Sequence, residues 1–170
     1  IALQRGGDYA DLYFEYTVSN ELSLRDGEVN AVSSNIDYGV GIRVVSGDKT
    51  GFAFTEQTTL AEMKNAARIA AQIATLPDSV TNIPAAFTPV KGTNYSPILS
   101  PWEDHTVTEK MGWLTSLNEK VFAKDSRITK VLERLTDSNT KILFYNSLGE
   151  SFTDERPMIN VVANCVMTDT

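Results

Sequence analysis

Asn35-Ile36-Asp37-Tyr38-Gly39-Val40-Gly41-Ile42-Arg43, followed by Ser46-Gly47-Asp48-Lys49-Thr50-Gly51-Phe52, decides the fold of this chain. Tyr38, Val40, Ile42 and Val44 alternate with Gly39, Gly41 and Arg43, the period-2 pattern of a half-buried strand. Ser46-Gly47-Asp48 turns the chain, and residues 50–55 predict a second strand with Phe52 and Phe54 on one face. The run therefore reads as two short strands joined by a glycine-bearing turn. Its glycine face leaves room for a neighbouring backbone or side chain to approach closely. Gly39-x-Gly41 is not a dinucleotide fingerprint, because it lies within a strand and not at a strand-to-helix turn.

Upstream, Leu12, Phe14, Tyr16 and Val18 alternate with Tyr13, Glu15 and Thr17, which predicts a strand over about 11–25, with a candidate bulge at Ser19-Asn20. Asp26-Gly27 tolerates the positive φ values of a type I′ hairpin turn, and a return strand follows over about 29–34. Downstream, Thr59-x-x-Glu62 is a capping box that opens a helix, and Pro77 ends it. Leu60, Met63, Ala67, Ala70 and Ala74 form its apolar stripe, widened by Ala66 and Ile73. Residues 77–101 hold five of the six prolines and read as a long connection, with room for one short strand or helical turn. Phe87, Val90, Tyr95, Ile98 and Leu99 are expected to dock it.

A second helix is predicted over about 106–124, opened by the capping box Thr106-x-x-Glu109. Val107, Met111, Leu114, Leu117 and Val121 form its stripe, with Trp113 and Phe122 at the edges. Strands follow over 128–136, 141–146, 151–155 and 158–169. Turns at Asp137-Ser138-Asn139 and Ser147-Leu148-Gly149-Glu150, and a break at Pro157, separate them. Strand meander, helix, connector, helix, strand meander gives an α+β fold: a mostly antiparallel sheet built from two strand meanders with two helices packed on it. At 170 residues, with 42% hydrophobic and 22% charged content, the chain suits one sizeable domain or two small ones sharing a core.

The net charge is −7, and the 15 Lys and Arg residues are scattered. Duplex binding requires clustered cations to displace counterions, so direct nucleic-acid binding is not expected. No apolar run approaches the ~20 residues of a membrane-spanning helix, so no membrane partner is expected. The chain opens at Ile1, and residues 1–7 read as the last turn of a helix with a glycine C-cap. The start, with any targeting segment, is therefore expected to lie upstream. Cys165, the single cysteine, sits in an apolar run and is expected to be a small buried hydrophobe.

His105 is the only histidine, in Pro101-Trp102-Glu103-Asp104-His105-Thr106 at the start of the second helix. A hydrolytic zinc site needs about three protein ligands and an open position. Adjacent Glu103, Asp104 and His105 rarely converge on one ion, so a solvated helix entry is expected and no metal is assigned to this chain. No Gly-x-Ser-x-Gly elbow is present, and no catalytic residue is assigned. Asp37 and Arg43 are expected to form an edge ion pair or to stand on the sheet face beside the glycines. In the functional alternative, Asn35, Asp37, Tyr38 and Arg43 line a substrate cleft, since a charge on a strand face can fix a substrate backbone or terminus.

Ala10-Asp11-Leu12-Tyr13-Phe14-Glu15, the run from Asn35 to Phe54, and Asn146-Ser147-x-Gly149 resemble the N-terminal domain of the TldD/PmbA family, the "modulator of DNA gyrase" proteins. The resemblance covers nearly the whole chain, and Gly47-Asp48-Lys49-Thr50-Gly51-Phe52-Ala53 is closer to the TldD branch. It implies a cytoplasmic zinc-dependent peptidase acting on peptides or unfolded segments. It also implies a homodimer or a heterodimer with a TldE/PmbA-like partner. The zinc motif His-Glu-x-x-x-His is expected downstream, in a C-terminal domain, with zinc in the full-length protein and none in this chain. The N-terminal domain is then expected to wall the substrate path, to help the dimer form and to pack with its own C-terminal domain. The competing expectation is a non-catalytic interaction module, either a PmbA/TldE-like partner or a gyrase-associated modulator.

Overall fold

Three of the strands are far longer than the sequence suggests. In the computed structural model, which describes residues 1–74, 86, 88–90 and 97–169, β1 runs over Tyr9–Arg25 and β2 over Glu28–Ser46 without a break. The return strand and the glycine-bearing strand expected separately are thus one element. β3 follows at Lys49–Thr55, α1 at Leu60–Ile73 and β4 at Thr88–Pro89. A 3₁₀ turn at Trp102–Asp104 leads into α2 at Val107–Phe122. β5 spans Ile128–Asn146 and β6 spans Glu150–Met167.

The fold is α+β, with a mostly antiparallel six-stranded sheet of order β3-β2-β1-β5-β6-β4. β2 and β3 pair antiparallel, and β4 lies parallel to β6. Two expected features disappear into the long strands, and a third expectation is reversed. Asp137-Ser138-Asn139 is not a turn; Asp137 and Asn139 are buried inside β5. Pro157 does not break β6, because β4 flanks that strand only at Glu150 and Ser151 and an edge position tolerates a missing N–H. Cys165 is exposed and not buried; it lies in residues 158–169, where every position is exposed.

β1 and β5 keep one register along their whole length. Ser147 N–H donates to the Ala10 carbonyl, Thr17 meets Thr140, Asn20 meets Asp137 and Asp26 N–H donates to the Val131 carbonyl. The β1/β2 pair does not keep one. Even-numbered Val40, Ile42 and Val44 share a face with even-numbered Ala10, Leu12 and Phe14, whereas Asn30 meets odd-numbered Ser23. β2 therefore takes in one extra residue between Asn30 and Val40, the signature of a β-bulge. The expected Ser19-Asn20 bulge does not fit this constant β1/β5 register.

The chain divides into two compact units, the first from residues 1–16, 37–95 and 141–155, the second from 17–36, 96–140 and 156–170. In the first, α1 lies against the sheet through Ala66, Ala67, Ala70, Ala71 and Ala74. A Cβ added at Gly51 would overlap the Ala70 carbonyl oxygen, so helix and strand meet backbone to backbone and only alanine fits between them. Leu60 and Ile73, expected in the stripe, are instead 63% and 56% exposed. Thr59 caps the helix, its side chain accepting from Glu62 N–H. The expected stop at Pro77 lies outside the described residues.

In the second unit, Leu22 and Leu24 of β1 and Leu135 of β5 pack on Leu114 of α2, with Met111 and Leu117 alongside. The α2 capping box is complete: Thr106 Oγ1 accepts from Glu109 N–H, and Glu109 Oε2 accepts from Thr106 N–H. Val107 of the expected stripe is exposed, while Lys110 and Asn118 are buried. In the connection, Val90 is half exposed and Leu99 is 91% exposed, so neither anchors it; Phe87 and Tyr95 lie outside the described residues.

Candidate functional site

Two polar constellations stand out, one in each unit. In the first unit, the turn Asn146-Ser147-Leu148-Gly149 is wired to the start of β1. Asn146 Oδ1 accepts from the N–H groups of Leu148 and Glu150 at 3.1 and 3.0 Å, and its Nδ2 donates to Glu150 Oε2 at 2.7 Å. Gly149 takes φ 86°, a value L side chains rarely adopt. Ser147 Oγ accepts from Ala10 N–H at 3.0 Å. The Asn-Ser-x-Gly motif is thus a structural clasp on β1.

Beside it, Arg43 Nε donates to Asp11 Oδ2 at 3.0 Å, and the guanidinium carbon stands 5.9 Å from the centre of the Tyr9 ring. The Asp11 hydrogen bond holds the Arg43 proton above its ordinary range. Burial, and then the Asp11 charge, push the Tyr9 hydroxyl up. Arg43 thus pairs across strands with Asp11. The expected edge pair with Asp37 does not form: six residues along one strand separate the two by about 20 Å. The glycines beside Arg43 are filled by aromatic rings, since a Cβ at Gly39 would meet Phe54 at 2.6 Å and one at Gly41 would meet Phe52 at 2.9 Å.

In the second unit, an open cleft of about 410 Å³ is lined by Ser33 and Asn35 of β2, Ser19 to Glu21 of β1, Thr136 to Ser138 of β5 and Met158 to Asn160 of β6. Its floor is a buried relay. Asn20 Nδ2 donates to Asp137 Oδ1 at 2.9 Å, and Lys110 Nζ of α2 donates to Asp137 Oδ2 at 2.8 Å. Glu21 pairs with Arg134 at 3.1 Å. Also in this unit, Glu133 is 0% exposed, with neither carboxylate oxygen hydrogen-bonded, and Asn118 Oδ1 is equally unpartnered. Burial raises the Glu133 carboxyl above its ordinary range.

The four sequence-derived cleft candidates fall in different places. Asn35 lines the cleft of the second unit; Asp37 and Tyr38 are exposed on β2, and Arg43 is held by Asp11 in the first unit. Sequence reasoning missed Glu133 and the Lys110–Asp137 pair; the charges of β5, at Lys130, Glu133, Arg134, Asp137 and Lys141, follow no two-residue period, so the local pattern carries no signal for either. The residues do not fit a metal ion: among those described, no group of three or more His, Cys, Asp or Glu side chains converges. His105 Nε2 shares a hydrogen bond of 2.9 Å with Ser100 Oγ, and its ring packs edge-on against Trp113 at 5.1 Å.

Comparison with known proteins places this geometry. Residues 10–74 match PmbA/TldA metallopeptidase domain 1, and residues 100–170 match the PmbA/TldA metallopeptidase central domain. A metalloprotease TldD homologue of Haemophilus influenzae is 34% identical over 161 residues, which is 95% of this chain and 33% of the relative. A Buchnera aphidicola TldD homologue is 30% identical over 89% of this chain and 31% of its own. Among solved structures, a Thermotoga maritima protein named as a proposed modulator of DNA gyrase aligns with TM-score 0.73 at 21% identity, over 95% of this chain and 36% of that one. TldE from Thermococcus kodakarensis aligns with TM-score 0.65 at 16% identity, over 96% and 37%. At these identities the structural likeness is one of fold. The chain spans about a third of the length of these relatives. By its two family domains and the long-stranded sheet they share, this chain belongs to the TldD/PmbA metallopeptidase family.

Proposed function

We propose that residues 1–170 form the non-catalytic N-terminal scaffold of a TldD-like zinc-dependent peptidase acting on peptides or unfolded segments. The observation that carries this reading is the match of residues 10–74 and 100–170 to two successive domains of a metallopeptidase family. On this proposal the zinc ligands are those of a His-Glu-x-x-x-His motif encoded downstream. In this reading the chain walls the substrate path and packs with its own C-terminal domain. It also contributes to a cytoplasmic homodimer or a heterodimer with a TldE/PmbA-like partner, and Asn35, Asp37, Tyr38 and Arg43 face the path.

The test is made on the full-length protein. Its reading frame is expected to contain His-Glu-x-x-x-His downstream of Thr170, one zinc ion per chain is expected by elemental analysis, and chelation is expected to abolish peptide cleavage. A full-length protein that lacks the motif and holds no metal refutes the reading.

A second reading draws on the edges of the sheet. Residues 28–38 of β2 and 158–167 of β6 are exposed at every position, and an exposed strand favours strand addition by a partner. On this reading the chain is a pairing module, PmbA/TldE-like or associated with gyrase. Sedimentation of the chain distinguishes it: a monomer at all concentrations that gains no mass with a TldE/PmbA-like protein or gyrase added counts against it.

A further inference from the structure

The outer side of β6 has a definite hydrogen-bonding phase. The carbonyls of Gly149 and Ser151 accept from the N–H groups of Thr88 and Val90, so odd-numbered residues turn their backbone groups outward. The phase is unchanged near the far end, where even-numbered Val166 turns its carbonyl inward and accepts from the Thr129 hydroxyl of β5. Ile159, Val161, Ala163 and Cys165 therefore aim N–H and C=O groups outward. Among the described residues, β4 is the strand on that side, and it pairs only with Glu150 and Ser151. Pro157 is odd-numbered too, so its missing N–H falls on the outer side and ends the usable edge there.

Such edges are normally guarded by charge, a bulge, a proline or a cover. β2, on the other side of the four central strands, carries Glu28, Asp37 and the bulge between Asn30 and Val40. From Met158 to Met167, β6 holds no charged residue and no proline, and its constant phase excludes a single-residue bulge. Its large apolar side chains are between 37% and 69% exposed.

The same run is close to a chemical palindrome. Two copies laid antiparallel about Val162 set Val162 against its own counterpart, Asn160 against Asn164 and Met158 against Val166 on one face. On the other face Ile159 meets Cys165 and Val161 meets Ala163. A two-fold axis through Val162, perpendicular to the sheet, makes this an isologous contact. Each asparagine amide donates and accepts, so both Asn160–Asn164 pairs can bond across the seam. A slip of two residues either way sets Asn160 against a valine, and a slip of one turns the faces over. The outward backbone groups supply about eight main-chain hydrogen bonds, two for each hydrogen-bonded pair.

We propose that the β6 edge from Met158 to Met167 joins two copies of this chain, antiparallel about Val162, into one continuous sheet. This names the contact for the homodimer of the peptidase reading and rests on that reading only for its biological role. A strand pair of this length lies at the small end of specific interfaces, so a reversible dimer in the micromolar range is expected.

Sedimentation equilibrium of the chain, from micromolar to near-millimolar concentration, is the first test. Val162→Lys sets two ammonium groups face to face and should weaken association at least about tenfold. Val32→Lys, on an exposed position of β2, should leave it unchanged. The second test does not depend on a charged variant folding. With Cys165→Ser as background, Val162→Cys places two thiols on a pair whose Cα atoms stand about 4.5 Å apart, within disulfide reach. Asn160→Cys in the same background leaves them about 13 Å apart along the strand. Oxidised glutathione, itself reduced in the exchange, should link the first variant into a dimer and not the second.

A wild-type chain that stays monomeric throughout, or gains mass only with a TldE/PmbA-like protein, overturns the proposal. So does a folded Val162→Lys variant that associates as wild type, or cross-linking at position 160 as readily as at 162. The same cysteine variants are made in the full-length protein; cross-linking confined to the short chain would give the edge to the downstream domain and overturn the proposal as well. These measurements need neither metal nor cleavage. A full-length protein without zinc would therefore refute the peptidase reading and leave the dimer standing.

Discussion

Replacing Glu133 by leucine should stabilise the protein, and by more at high pH than at low. Glu133 lies on β5 between Val131 and Leu135, both buried. Its two oxygens have no hydrogen-bond partner. Lys110, the buried cation of α2, is engaged with Asp137. Burial raises the carboxyl pKa, so the folded state takes up a proton that the unfolded state releases above about pH 4.3. The sign follows directly. Below the unfolded pKa both states are protonated and there is no penalty. As pH rises, folding costs about 1.4 kcal/mol per pH unit until the folded pKa is passed. The neutral acid itself, buried without partners, costs about 1–3 kcal/mol. Leucine fills a similar volume without the polar atoms. Glu133→Leu should therefore gain about 1–3 kcal/mol at pH 4, and the gain should widen towards pH 8. Urea unfolding of both proteins at pH 4, 6 and 8 measures this. A variant less stable than wild type at pH 8, or a difference independent of pH, would refute the reasoning.

Three further outcomes are expected. Gly51→Ala places a Cβ into the Ala70 carbonyl and should cost about 1–3 kcal/mol or more by overpacking, read as a lower thermal midpoint. Lys110→Ala strands the buried Asp137 carboxylate with Asn20 alone; about 3–5 kcal/mol should be lost, and a further Asp137→Leu change should recover part of it in the same urea assay. Asn146→Ala removes three hydrogen bonds from the Asn146–Glu150 turn. A loss of about 1–3 kcal/mol is expected, with faster amide exchange at Leu148 and Glu150; unchanged exchange would show that the clasp is dispensable.

What was legible in the sequence was local. Asp26 and Gly27 take φ values of 52° and 85°, as the Asp-Gly turn demands, and both capping threonines bond as their spacing predicts. What was illegible depended on partners distant in the chain. Asp137-Ser138-Asn139 has the composition of a turn, yet Lys110 and Asn20 supply the bonds that keep Asp137 inside a strand. The alanines of the α1 stripe are buried as expected, whereas Leu60 and Ile73 are exposed, because the close approach at Gly51, not hydrophobicity, sets which residues fit against the sheet. Cys165 was expected inside because its neighbours are apolar, but burial is decided by whether anything covers residues 158–169. Of the candidate site, Asn35 was found in a cleft whose other walls come from β1, β5 and β6, and no single-strand pattern contains that information.

The unbroken register between β1 and β5 has a kinetic consequence. Thr17 reaches Thr140 across 123 positions of sequence. Both flanking hairpins can close early through short turns, whereas this middle seam must wait for two finished halves to find each other in one alignment. Loop-closure entropy makes such distant pairing slow, and until it is achieved two extra bare strand margins face solvent. Refolding is therefore expected to be slow and sensitive to protein concentration, with self-association as the competing route.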